Sequence, residues 1–254
     1  MAKTKKIQKF LNNQWNEMKN NVDVFCITRD KDKLHALRVN AKKIKAVVSL
    51  LKACSNNKKI VLKKLKELFD HAGKIRTAQL NVEALHEHHI QNEELEKEQN
   101  QIIERESDEL CKRKKLYNRN IKKLKKSLAV YSFKIKNKSI VSYYHDSLRQ
   151  LSSNFLPPIA EDNLHDNRKI IKRLLFALKI LPGLLTDQIN INKQYIDNLQ
   201  DLIGKWHDTI IAADLLGEDN LGYKALNDKK QMQLEAIENL TASFDEKVKA
   251  STQE

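Results

Sequence analysis

Glycine and proline are scarce in this chain, five and three among 254 residues. An all-β fold spends those residues freely on turns, so an all-β architecture is excluded. Lys, Leu, Glu, Asn, Ile and Ala dominate instead, a composition that favours helix. Cysteine is as thin: Cys26, Cys54 and Cys111 stand far apart, with no Cys-x-x-Cys pair. That scatter argues against a disulfide framework and a thiolate zinc site, and suits a reducing cytosol. The most apolar run, Leu174 to Leu185, is too short for a bilayer and contains Lys179 and Pro182. The N-terminal Met1-Ala2-Lys3-Thr4-Lys5-Lys6-Ile7 is charged, but no apolar stretch follows it, so no secretory leader is expected. A soluble, cytoplasmic protein with no membrane partner is the expectation.

Negative charge is missing from long stretches. The formal net charge is +14. Lys33 to Lys66 holds 11 Lys or Arg and no carboxylate, and Leu110 to His145 holds 12 and again none. Asn167 to Thr186 is also free of Asp and Glu, while acids gather at Glu93 to Glu109. Cations without interleaved acids create a strong local field, and such a field attracts polyanions.

The periodicity predicts eight helices, four per half. In the first half they span about 5–27, 31–53, 58–89 and 92–129, with Asp30 or Asp32 capping the second. In the second half they span about 139–155, 163–181, 190–216 and 221–250, separated by Pro157-Pro158 and Pro182-Gly183. Gly73 falls inside the third helix, where glycine costs about 1 kcal/mol relative to alanine, so a packing or close-approach role is expected. With no low-complexity linker, the halves read as 1–130 and 131–254.

Those halves are related. Leu34-His35-Ala36-Leu37-Arg38, followed by Lys42, Lys43 and Lys45, recurs loosely as Leu164-His165-Asp166-Asn167-Arg168, followed by Lys172 and Arg173. Gly73-Lys74-Ile75-Arg76 then answers to Gly204-Lys205-Trp206-His207. The offsets are 130 for the histidines and 131 for the glycines, so the register holds. On a helical wheel Arg38, Lys42 and Lys45 lie within about 80° of His35, while Leu37, Ala41, Ile44, Val48 and Leu51 lie near the opposite side. Arg168, Lys172 and Lys179 align with His165 in the same way. Leu175 occupies the position corresponding to Lys45, and Lys179 is the expected replacement. A cationic stripe opposite a core face suits a ligand whose negative charges repeat along a line. Arginine forks and lysine point charges match phosphate oxygens, and a histidine becomes a cation when an anion raises its pKa. Lys74, Arg76, Lys205 and His207 are candidates for the same pocket.

His-x-x-Arg with further basic residues, a later Gly-Lys-x-Arg/His element, and the duplication of both resemble the CHAD family (conserved histidine α-helical domain). The resemblance covers most of the chain. It implies an all-α fold of two four-helix bundles related by an internal pseudo-twofold repeat, with a basic groove between them. It also implies non-enzymatic binding of inorganic polyphosphate, without cofactors, in the cytoplasm and in association with polyphosphate granules. Carried over by motif, the contacts are His35, Arg38, Lys42, Lys45 and Arg76, with His165, Arg168, Lys172, Arg173 and His207 in the second half. Thr77 and Leu175 depart from the family pattern, which has Asp and a basic residue there.

Two other classes compete. A metal-dependent phosphohydrolase would use His-Asp pairs, and His145-Asp146, His165-Asp166 and His207-Asp208 are present. The repeat copies of the last two read His35-Ala36 and Arg76-Thr77, however, so the Asp is not kept. His86-x-His88-His89 lacks a completing carboxylate and reads as a surface cluster. No glycine-rich phosphate loop or nucleophile elbow appears, and catalysis is not expected. Nucleic-acid binding is permitted by charge alone, but aromatics are few and no helix-turn-helix, zinc finger or stacking sheet is visible. An adaptor role for the charged fourth helix is weaker than its place in a bundle.

Overall fold

The computed structural model describes residues 2–55, 61–129, 135–181, 185, 188–217 and 221–249. Among them the chain is all-α, with ten helices and one isolated bridge, Ile191 to Lys249. It divides into two compact units, Met1–Lys134 and Ile135–Glu254.

The first unit contains α1 (Ala2–Thr28), α2 (Lys31–Cys54), α3 (Lys63–Glu87), α4 (Glu93–Lys112) and α5 (Lys114–Ala129). α1 packs on α2 and α5, and α3 packs on α2, α4 and α5. Asp30 caps α2 by accepting a hydrogen bond from the Asp32 amide, and Asn92 caps α4 through the Leu95 amide. The apolar face expected of α2 is the buried one: Leu37, Ala41, Ile44, Val48 and Leu51 are buried, as are Trp15, Met18 and Phe25 of the adjoining α1. Asn40 sits within this apolar seam. It donates to Gln14 and Glu17 and accepts from Asn21, so it ties α2 to α1 at one register.

The second unit contains α6 (Asn137–Asn154), α7 (Glu161–Leu178), α8 (Lys193–Leu216), α9 (Leu221–Thr241) and the single turn α10 (Phe244–Lys247). α7 packs on α6 and α8, and α8 packs on α9. Asn192 caps α8 through the Tyr195 amide. The buried Tyr144 hydroxyl donates to the Leu174 carbonyl and joins α6 to α7.

Three expectations are corrected. The long fourth helix is two helices, broken at Arg113, because α4 packs chiefly on α3 and α5 chiefly on α1. One straight helix does not serve both partners. The last helix stops at Thr241, and Ser243 takes a left-handed conformation that turns Phe244 onto Phe155 and Tyr195. Cys26 and Cys111 are paired as a disulfide, with Cα atoms 5.2 Å apart, although they are 85 positions apart in sequence. Linear spacing carries no information about a contact made by α1 and α4 crossing. The Ser55-Asn56-Asn57 turn and Pro182-Gly183 lie wholly or partly outside the described residues.

Asn40→Ala is expected to cost about 2–3 kcal/mol, because buried Gln14 loses its donor. Urea denaturation measures this, and an unchanged midpoint would contradict the register role assigned to Asn40.

Candidate functional site

Each unit contains the same unusual helix crossing. In the first, Arg38 leaves the half-buried side of α2 and lies across α3 at Gly73. A Cβ at Gly73 would stand 2.5 Å from Arg38 Nη1. The guanidinium donates to the Phe69 carbonyl at 2.8 Å and stacks on the Phe69 ring at 4.4 Å. In the second, Arg168 of α7 reaches α8 at Gly204, where a Cβ would stand 3.3 Å from Nη2. Glycine in the middle of each helix is thus explained: it admits an arginine from the neighbouring helix. Arg168 Nε is buried and has no hydrogen-bond partner among the described residues.

The remaining candidates sort themselves around these arginines. In the first unit His35, Lys42 and Arg76 gather with Arg38. Burial holds the His35 imidazole below its ordinary pKa, reinforced by the charges of Arg76, Lys42 and Arg38. Lys45 Nζ lies 3.7 Å from the centroid of the same Phe69 ring, and burial lowers its pKa as well. In the second unit the His165 and His207 rings are 5.2 Å apart. Burial again lowers the His165 pKa, aided by Lys169 and His207. Lys172 is half-buried beside Arg168, and burial pushes its pKa down to about 8.

Four candidates are placed elsewhere. Lys74 turns to the other side of α3, 3.5 Å from Glu106 of α4. Lys205 holds the matching position on α8 and is exposed. Arg173 is exposed, and its charge acts on Asp166. Lys179 is the C-cap of α7, about 16 Å along the axis from Arg168, with its ammonium near Phe176.

The geometry also adds residues that the motifs did not suggest. Phe69 is the platform for two cations. Asp70 and Asp201 each stand three residues before the glycine, and their charges act on Arg38 and Lys45 and on Lys172 respectively. Their equal spacing in both halves was the available signal. Glu83 bridges Arg76 and Lys31, at 3.3 and 3.0 Å.

These carboxylates make the two faces unequal. In the first unit Arg38, Lys42, Lys45 and Arg76 outnumber Asp70 and Glu83. In the second, Arg168 and Lys172 are opposed by Asp201 and Asp208, both of which act on Lys172. Counting these four groups, the second face has no formal excess of positive charge. Among the described residues no three His, Cys, Asp or Glu side chains gather as a metal site requires.

A family model for the CHAD domain matches residues 9–217. The chain belongs to the CHAD family. A crystal structure of the CHAD domain from the plant Ricinus communis is similar in fold, with a TM-score of 0.64 and 15% identity. The match covers 96% of this chain and 89% of that one. A search of the curated proteins finds no match. Among the described residues of this CHAD chain, no helix is long and apolar enough to cross a membrane.

Gly73→Ala and Gly204→Ala separate packing from charge. Alanine adds helix propensity at both sites, about 1 kcal/mol. At Gly73 it drives the Arg38 guanidinium off Phe69, whereas at Gly204 a shift of a few tenths of an ångström suffices. Anion affinity is therefore expected to fall three- to tenfold in Gly73→Ala and less than twofold in Gly204→Ala. Neither melting temperature should move by more than a few degrees. Isothermal titration with tripolyphosphate, alongside thermal melts, measures both.

Proposed function

We propose that this CHAD protein binds inorganic polyphosphate through the Arg38 and Arg168 faces, without catalysing its turnover. CHAD domains are associated with polyphosphate binding. The observation that carries the reading is the repeated arginine-over-glycine crossing. In each unit it holds a guanidinium in place, with histidine and lysine beside it, before any ligand arrives. A guanidinium already ordered loses less freedom on binding than a free surface lysine does. The buried Nε of Arg168 has no hydrogen-bond partner among the described residues, so a phosphate oxygen that reached it would supply one. The place of action under this reading is the cytoplasm, at polyphosphate granules where a cell forms them.

Arg38 and Arg168 contact phosphate directly, with Lys42 and Lys172 one turn further along each helix. Lys45 extends the line in the first unit. His35 and His165 strengthen binding when protonated. Arg76 contributes less than its charge suggests, because Glu83 already holds it.

The Arg38→Ala, Arg168→Ala double variant is expected to lose at least tenfold in affinity for long-chain polyphosphate, with its helical circular dichroism unchanged. Competition among polyphosphate, single-stranded RNA and duplex DNA at physiological salt tests the choice of ligand. Polyphosphate should win at these faces, and a double variant that binds it as the parent does would overturn the assignment.

The pH dependence has two parts. His35 and His165, both held below the ordinary histidine pKa, gain charge as pH falls below about 6.5, so affinity rises there. Lys172 loses charge as pH rises through about 8, so affinity falls between pH 7 and 9. Lys172→Arg is expected to flatten the alkaline limb and leave the acid limb intact. Titrations at fixed ionic strength from pH 5.5 to 9 read both limbs.

A further inference from the structure

The second acid-free stretch of the sequence is not used by the arginine faces, and most of its described cations are on α5. Within that helix the buried side consists of Tyr117, Asn120, Ile121, Leu124 and Leu128. Measured around the axis from Ile121, Lys115, Arg119, Lys122, Lys123 and Lys126 all fall between about 100° and 200°. They form one stripe on the side away from the core, about 16 Å long. All five are exposed. Among the described residues none of the five has an ion pair or a side-chain hydrogen bond. Lys114 and Lys125, on the flanks, are tied to Asp23 and Asn16 of α1.

This stripe differs from the arginine faces in every respect that selects a ligand. Its cations are mostly lysines, fully hydrated, on a convex surface with no aromatic platform and no glycine crossing. We propose that the outward side of α5 is a docking surface for double-stranded nucleic acid, held through its phosphate backbone and without sequence preference. A duplex is stiff and carries its charges already in line, one per about 1.7 Å of axis. It can lie along a convex row of cations without first being ordered. A flexible phosphate chain would have to be straightened over the same row at an entropic cost. An anionic membrane is the poorer fit, because interfacial helices bury an apolar face in the lipid and that of α5 is already inside the bundle.

Five phosphate contacts predict a log–log salt slope of about −4.5 for duplex binding. The test uses a fluorescent 20-base-pair duplex of arbitrary sequence, read by anisotropy from 50 to 300 mM salt. The variant is Lys115→Gln, Lys122→Gln, Lys126→Gln in the full chain. These are solvated positions with good helix formers on both sides of the change, and circular dichroism checks that the helices remain. Duplex affinity at 150 mM salt should fall at least tenfold, and the slope should flatten by about 2.7. Polyphosphate affinity of the same variant should stay within twofold of the parent. The Arg38→Ala, Arg168→Ala variant should give the reverse pattern. Unchanged duplex binding in the α5 variant would overturn the proposal, as would parallel loss of both ligands. Binding of the parent to phosphatidylserine vesicles but not to duplex would assign the surface to lipid and overturn it as well.

Discussion

A guanidinium resting in the space left by an absent Cβ is the constraint around which each unit is arranged. It places glycine at one point of one helix and arginine at a facing point of the next. The approach is close enough that a methyl group would intrude at Gly73, while at Gly204 it would only press on the guanidinium. Once the arginine is there, its neighbours are determined by helical geometry. The residue three positions before it is the histidine, and the residue four after it is a lysine. The position three after the glycine brings Arg76 or His207 to the same place. Burial then lowers the pKa values of His35, Arg38, Lys45, His165 and Lys172, and neighbouring cations add to the effect.

Much of this was legible in the amino-acid order. The repeat located both arginines, both histidines and both glycines, and the close-approach role expected of Gly73 is what the crossing shows. The apolar faces of α2 and α7 followed from their spacing. Three kinds of information were not legible. Pairing across a crossing, such as Cys26 with Cys111, depends on which helices become neighbours. The division of α4 from α5 depends on a change of packing partner rather than on a breaking residue. Lys74 and Lys179 carried the right charge in the right motif, but an azimuth and an axial distance put them elsewhere. Lists of basic residues overcount a site, because motifs record spacing along a line while the site is built around a circle.

Acidic residues correct the picture in the other direction. A composition this basic suggests surfaces of uniform sign. Asp70, Glu83, Asp201 and Asp208 instead sit among the cations and set how much of their charge is available. These carboxylates also order the side chains: Glu83 holds Arg76 and Lys31 together, at the cost of part of their attraction for an anion. The first unit therefore has a standing excess of charge and the second a nearly balanced one.

Under the proposed reading, that imbalance would make filling the second face an act of proton capture as well. An anion beside the His165 imidazole, which burial holds below its ordinary pKa, would favour the imidazolium, so complex formation would draw hydrogen ions from solution. The heat of association then varies with the ionisation enthalpy of the surrounding buffer. A chain with two such unequal faces would, on that reading, register acidity and phosphate supply through one and the same equilibrium.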